Sequence, residues 1–250
     1  MDINQPTLSH VKGIIEPPLT DMTIGEALSN AAVRWPDRAA LVVPHQAIRW
    51  TYNDLNLQVD ALTVGLLELG LKRGDRVGIW SPNRAEWVVT QLATARAGLI
   101  LVTINPAYHS AEVALALSLS TCRALVFASQ FKRSDYLGII DKLFPDFARR
   151  GGKDLDFLIQ LDGPTLPGAV KYQDLLDNGR AIINKSPKYV AAELSSSDAV
   201  NIQFTSGTTG TPKGATLTHR NILNNAIFVA RHIGLAEQDR LCLPVPLYHC

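Results

Sequence analysis

Residues 205–214 read Thr-Ser-Gly-Thr-Thr-Gly-Thr-Pro-Lys-Gly: five hydroxyls, three glycines, one proline and one lysine, with no apolar side chain. Each residue type supplies a different part of an anion site. Glycine reaches positive φ and lets bare backbone approach a ligand, so successive N–H groups can point into one concavity. The hydroxyls of Thr205, Ser206, Thr208, Thr209 and Thr211 add donors that rotate to suit phosphate oxygens, and Lys213 adds a compact positive charge. An apolar stretch of strand length, 199–204, leads straight into this run. A strand feeding such a loop reads as a polyphosphate cradle, with a plain Gly/Thr surface loop as the alternative. The Gly-x4-Gly-Lys-Ser/Thr phosphate motif does not fit, because Pro212 stands at its second glycine and Gly214 at its hydroxyl. No Gly-x-Gly-x-x-Gly dinucleotide fingerprint occurs anywhere.

The elements that must position this loop alternate in pattern. Thr51 can cap a helix together with Asp54, and Leu55, Val59, Leu62, Leu66 and Leu69 step by four and three along one face until Gly70 stops it. Gly74-Asp75 turns the chain into a short apolar run, 76–80. Ser81-Pro82-Asn83 then signals a helix carrying Trp87, Val88, Leu92 and Ala95. Gly98 breaks that helix, and the run 99–104 reads as a strand ended by Asn105-Pro106. Ser110 can cap a helix over 111–119, and 124–128, 134–144 and 157–161 read as strand, helix and strand. Strands that are apolar throughout, alternating with helices, imply an α/β fold with a parallel sheet covered on both faces and right-handed crossovers. Residues 162–168 read as a loop, and the polar stretch 178–197, with Pro187 and three serines, as a connection between two subdomains. The expected division is a lead-in over 1–50 (irregular over 1–20), a first α/β subdomain over 51–190, and the start of a second over 191–250.

Composition narrows the function classes. The 250 residues carry 24 Lys+Arg against 23 Asp+Glu, a net charge of +1, so no one-sign field favours nucleic acid or an anionic membrane. With 46% hydrophobic and 19% charged residues the chain belongs among globular proteins. The apolar stretch 61–71 is interrupted by Thr63 and Glu68 and is too short to span a bilayer, so stable membrane insertion is not expected. The first residues show neither an apolar core nor an Arg-rich amphipath, and the expectation is a cytoplasmic protein. Cys122 and Cys242 lie beside apolar runs and read as buried reduced thiols; neither they nor Cys250 form a Cys-x-x-Cys pair. The six histidines have no metal-ligand spacing, no Gly-x-Ser-x-Gly elbow occurs, and Trp35, Trp50, Trp80 and Trp87 read as packing residues.

The run from Phe204 to Gly214 resembles the signature of the adenylate-forming enzymes: acyl-CoA synthetases, luciferases and nonribosomal peptide adenylation domains. Shorter segments resemble the same family in the same order. They are Trp50-Thr51-Tyr52-Asn53-Asp54-Leu55, Gly70 through Val77, Ala97-Gly98 through Asn105-Pro106, and Pro246-Leu247-Tyr248-His249. The context around 243–250 is most similar to synthetases of medium-chain fatty acids. The resemblance implies the layered α-β-α subdomains of that family's N-terminal domain and two half-reactions. A carboxylate, expected to be a fatty acid, attacks the α-phosphate of Mg-ATP to give an acyl-adenylate and pyrophosphate, and the thiol of coenzyme A then displaces AMP. In this picture Thr205, Ser206, Gly207, Thr208, Thr209, Gly210, Thr211, Pro212 and Lys213 hold the departing phosphates. Lys213 also neutralises growing charge, Thr205 or a neighbouring hydroxyl approaches Mg2+, and His249 lies near the acyl carboxylate. Without that motif, His249 reads as a structural histidine.

The sequence stops short of several elements that the resemblance implies. These are the Tyr-Gly-x-Thr-Glu element, the ribose-binding Asp, and the C-terminal lid domain with its adenylation lysine. The expectation is therefore an N-terminal part of an acid–thiol ligase, inactive alone, with an incomplete sheet and uncovered apolar faces. The full-length form allows a homo-oligomer. Two further readings stay open: a non-catalytic remnant or nucleotide-binding half that needs a partner chain, and an adenylation domain that loads a carrier protein.

Overall fold

The computed structural model describes residues 16, 18–151, 155–186, 193–205 and 212–249. The expected lead-in is structured beyond its first twenty residues. Helix α1 (Ile24–Arg34) opens on a capping box in which Thr23 and Glu26 satisfy each other's backbone N–H groups. Strands β1 (Ala39–Val43) and β2 (Ile48–Thr51) then form an antiparallel hairpin. Helix α2 (Tyr52–Glu68) starts on Thr51 and Asp54 as the sequence implies, and buries Leu55, Val59, Leu62 and Leu66.

The central units follow as β3 (Arg76–Trp80), α3 (Ala85–Ala97), β4 (Ile100–Ile104), α4 (Ser110–Ser120) and β5 (Cys122–Phe127). A small hairpin comes next, β6 (Gln130–Phe131) with β7 (Ser134–Asp135), and then α5 (Tyr136–Leu143), α6 (Phe147–Arg150) and β8 (Phe157–Gln160). Three helix starts differ from expectation. Helix α3 begins at Ala85 because Ser81, Pro82 and Asn83 form a loop and extended Arg84 takes the cap position. Helix α4 begins at Ser110 itself, with His109 at the cap position and its N–H donating to the Glu112 carboxylate at 2.8 Å. Ser134 and Asp135 pair with β6, so α5 begins at Tyr136, capped by the Asp135 carboxylate.

The polar stretch expected to be a connection begins as helix. After β9 (Val170–Lys171), α7 (Tyr172–Lys185) takes in its residues 178–185 and buries Tyr172, Leu175, Leu176 and Gly179. Its exposed polar positions mask that narrow apolar face in a reading by composition. The chain then enters β10 (Ala199–Thr205), β11 (Lys213–Thr218) and α8 (His219–His232).

Seven strands form one sheet in the order β11-β10-β4-β3-β5-β8-β9. All neighbours are parallel except the antiparallel pair β10/β11. The sheet thus continues across residue 190, since β10 hydrogen-bonds to β4. Alternate strand residues feed two cores. Val77, Ile79, Leu101, Ala124, Val126 and Ile159 pack under α2, α3 and α7, while Trp80, Val102, Ile104, Leu125, Phe127 and Leu158 pack under α4 and α5. Helices α2 and α7 cross where a Cβ on Gly179 would lie 1.9 Å from the Ala61 carbonyl oxygen, so only glycine allows this approach.

The edge strand β11 is exposed over its first four residues. Beyond α8, Ile233, Leu235, Leu241, Leu243 and Val245 are exposed. Cys122 is buried as expected, but Cys242 is exposed because nothing among the described residues covers its apolar neighbours. Trp80 and Trp87 are core residues and Trp35 and Trp50 are half-buried. No described helix is long and apolar enough to cross a membrane.

Candidate functional site

Strand order makes the site. From β3 the chain crosses through α3 to β4 on one side, then returns through α4 over β3 to β5 on the other. Helix α3 packs into the core on one face and α4 into the core on the other. The loops that leave β3 (81–84) and β4 (105–109) therefore diverge and open a crevice at the carboxyl ends of these strands. In parallel α/β sheets this switch point is where ligands bind.

The crevice walls are fixed from below. Trp80, the last residue of β3, donates its indole N–H to the Asn105 carbonyl at 3.2 Å. Its ring stacks on Tyr136 with centroids 3.5 Å apart and planes 9° apart, and the Tyr136 hydroxyl donates to the Pro106 carbonyl. Two aromatic side chains thus hold the Asn105-Pro106 turn, while Asn105 Oδ1 accepts the Ala107 N–H at 2.9 Å. Burial pushes the Tyr136 hydroxyl far above its ordinary pKa, so it stays a donor.

On the far side of β3, Arg84 forks onto Glu86 (2.8 and 2.9 Å) and also bonds Asp162 in the loop after β8. Gln46 donates to Glu86 at 2.8 Å and accepts the first N–H of α3, at Ala85, also at 2.8 Å. Asp162 accepts from the Ser129 backbone at 2.6 Å. Burial raises both carboxylates, but hydrogen bonds and the Arg84 charge outweigh it, leaving Glu86 and Asp162 below their ordinary values. One guanidinium thus holds two carboxylates that also accept from neutral donors, so the cluster braces the loop after β3.

The phosphate-cradle candidate lies at the same end of the sheet. Gln203 of β10 is level with Thr103 of β4, which brings Thr205 level with Asn105. Thr205 pairs across the hairpin with Lys213, its hydroxyl 3.4 Å from the Lys213 carbonyl, so residues 206–212 form the connection between the two strands. Thr205 and Lys213 are exposed and Pro212 is half-buried. A Cβ at Gly214 would meet the Ile202 side chain at 3.0 Å, tighter than most side chains tolerate. Ser206, Gly207, Thr208, Thr209, Gly210 and Thr211 lie outside the described residues.

The last described segment returns to this crevice. Pro246 accepts from the His249 N–H at 3.0 Å, closing a 3-10 turn over Leu247–His249. Leu247 packs against the core on the α3 face, and the Tyr248 and His249 rings lie 5.5 Å apart. Burial, with Glu112 and Tyr248 nearby, raises the pKa of Tyr108 on the β4 loop. His249 is exposed, and among the described residues no hydrogen bond joins it to Thr205 or Lys213. The structure thus pairs Thr205 with Lys213, while His249 sits on a separate segment. The sequence reading missed the Trp80–Tyr136 and Arg84–Glu86–Asp162 supports and the amide of Asn83. The available signal was their position, at or just beyond the ends of adjacent parallel strands.

Among the described residues no three His, Cys, Asp or Glu side chains could hold a metal ion by themselves. Thr205 offers a hard hydroxyl oxygen of the kind that suits a magnesium ion carried largely by phosphate oxygens and water.

Residues 28–250 match the family described as AMP-binding enzyme. The chain is 43% identical to the mitochondrial medium-chain acyl-CoA ligase ACSF2 of Mus musculus, and 43% identical to that of Homo sapiens; each alignment covers 97% of this chain and 42% of the relative. The inhibitor-bound N-terminal domain of FACL13 from Mycobacterium tuberculosis superposes with a TM-score of 0.77 at 27% identity, over 90% of this chain and 52% of that one. The chain therefore spans less than half the length of the ACSF2 relatives.

Proposed function

The chain belongs to the AMP-binding enzyme family, and from that premise we propose that it forms the ATP-phosphate side of an enzyme that activates a carboxylic acid as its adenylate and passes the acyl group to coenzyme A. The observation that carries this reading is the Thr205–Lys213 hairpin end at the carboxyl edge of the sheet, beside the crevice between β3 and β4. A cradle there needs donors and one cation around a leaving pyrophosphate. The residues run Thr205, Ser206, Gly207, Thr208, Thr209, Gly210, Thr211, Pro212, Lys213.

The acid's oxygen attacks the α-phosphorus while the bond to the bridging oxygen of pyrophosphate breaks. Little covalent help is required; alignment and charge stabilisation dominate such transfers. Lys213 would neutralise charge growing on the leaving group, and Thr205 would offer its hydroxyl to the nucleotide's magnesium ion. That ion supplies charge neutralisation when bound. His249, exposed at the end of its turn, would face the acid's carboxylate. The names of the ACSF2 relatives favour a medium-chain fatty acid. The compartment we propose is the cytoplasm; the free thiols Cys122 and Cys242 fit a reducing compartment, and the ACSF2 relatives are named mitochondrial.

The test is pyrophosphate release by the full natural chain with ATP, coenzyme A and a series of fatty acids. Lys213→Ala is expected to lower the adenylation rate more than tenfold, about 1.4 kcal/mol of transition-state stabilisation. An unchanged rate would remove Lys213 from this role.

A further inference from the structure

We propose that Asn83 is a positioning residue: its side-chain amide pins the segment that carries Tyr248 and His249 into the crevice. The inference rests on the proposed role of His249. Asn83 Nδ2 donates to the Val245 carbonyl at 2.9 Å, and Asn83 Oδ1 accepts the Leu247 N–H at 2.8 Å. One side chain thus does what a neighbouring strand would do, engaging a carbonyl and an N–H two residues apart and trapping Pro246 between them. Both halves of the amide are used, and at neutral pH an ionised carboxylate of the same length would supply only the acceptor.

The platform under Asn83 is rigid, whereas the segment it holds runs exposed until Leu247 reaches the core. Ser81 and Ala85 on either side are buried, Arg84 is tied to Glu86 and Asp162, and Gln46 holds the Ala85 N–H. Residues 241, 243 and 245 of the opposing segment are exposed. Upstream, the segment is tied at Glu237, which pairs with Arg34 at 2.8 Å, and whose carbonyl accepts from Arg38 at 2.9 Å. Between Glu237 and the 3-10 turn, the Asn83 clasp fixes where the chain re-enters the sheet edge. From Leu247 the turn to His249 follows through the His249 N–H bond to Pro246, so a shift at Asn83 is transmitted within three residues to the imidazole. A ~1 Å misplacement of a group facing the reacting atoms is enough for large rate losses.

The experiment uses the full natural chain, with Asn83→Ala and Asn83→Asp. For Asn83→Ala we expect kcat/KM for the acid to fall tenfold or more, the KM for ATP to stay within twofold, and the Tm to shift little. The Leu247 amide should exchange hydrogen faster than in the wild type. Asn83→Asp keeps the acceptor but sets a carboxylate against the Val245 carbonyl. It should regain part of the lost activity at low pH, where the protonated acid again donates; a role in packing alone would show no such recovery. Unchanged acid kinetics in Asn83→Ala, or equal losses for acid and ATP together with a large drop in Tm, would overturn the inference. A wild type that releases no pyrophosphate with any acid would overturn the functional reading and this role with it, while the exchange of the Leu247 amide would still report whether the clasp exists.

Discussion

Replacing Gly179 by alanine tests the architecture beneath the site. An interior helix glycine is worth about 1 kcal/mol less than alanine, so propensity alone makes Gly179→Ala stabilising. The crossing of α2 and α7 reverses the sign. The new Cβ would sit 1.9 Å from the Ala61 carbonyl oxygen and 3.1 Å from the Gly65 nitrogen. The atoms struck are backbone, so no rotamer change relieves the contact and the helices must part by ~1.5 Å or more, the gap to an ordinary contact. Overpacking of this kind costs roughly 1–3 kcal/mol. Disturbing the hydrogen bond that the Ala61 carbonyl accepts from Gly65 adds about 1 kcal/mol. Subtracting the propensity gain leaves a net loss of about 2 kcal/mol, a Tm drop of roughly 4–8 °C for a chain of this size. Urea unfolding followed by tryptophan fluorescence reads it. Gly25→Ala in α1 is the control, because its Cβ would meet nothing closer than 3.5 Å, and it should be neutral or stabilising by up to ~1 kcal/mol. A Gly179→Ala protein as stable as the wild type would refute the backbone-to-backbone crossing.

Two other outcomes follow from burial of titratable groups. His219 is buried, and its Nδ1 accepts the Ile24 N–H at 3.2 Å; burial lowers its pKa, more than the nearby Asp198 and Glu26 raise it. The unfolded chain then binds the extra proton first. Unfolding free energy should hold above about pH 6.5, fall as the pH drops below it, and fall less steeply in His219→Gln, as read from urea midpoints across pH. Identical slopes in the two proteins would contradict this. Cys122 is 2% exposed and its thiol is pushed up to about 11 by burial, whereas Cys242 is exposed. A thiol reagent at pH 8 should label Cys242 promptly and Cys122 only on unfolding; mass spectrometry of the labelled peptides checks both.

Local physics was legible in the residue order. Thr51 with Asp54 announced the start of α2 because a capping box is satisfied within four residues. Gly98 announced the end of α3 because the chain there needs φ of 72°. The mainly apolar runs before Ser81, Asn105 and Gln160 announced buried parallel strands, and with them the α/β class. The composition of 205–214 singled it out as the candidate phosphate segment, and family membership agrees with the resemblance drawn from it.

What failed were the readings in which a local signal competed with a distant one. Ser81-Pro82-Asn83 has the chemistry of a helix start, yet the amide of Asn83 is used on a segment 162 and 164 residues away, and α3 starts at Ala85 instead. Cys242 sits among apolar residues, which implies burial only if something covers them. Helix α7 was hidden because its face toward α2 is narrow and ends in a glycine whose value lies in the partner helix. Sequence order fixes torsions, caps and the two-sided burial of each strand, since these depend on neighbours along the chain. Strand order, the antiparallel turn of β11 against β10 and the crevice between β3 and β4 exist only once the crossovers have chosen their faces. That choice is made by packing between residues far apart in the chain, and it brings the 205–213 hairpin, the Asn105-Pro106 turn and the 245–249 segment to one end of the sheet.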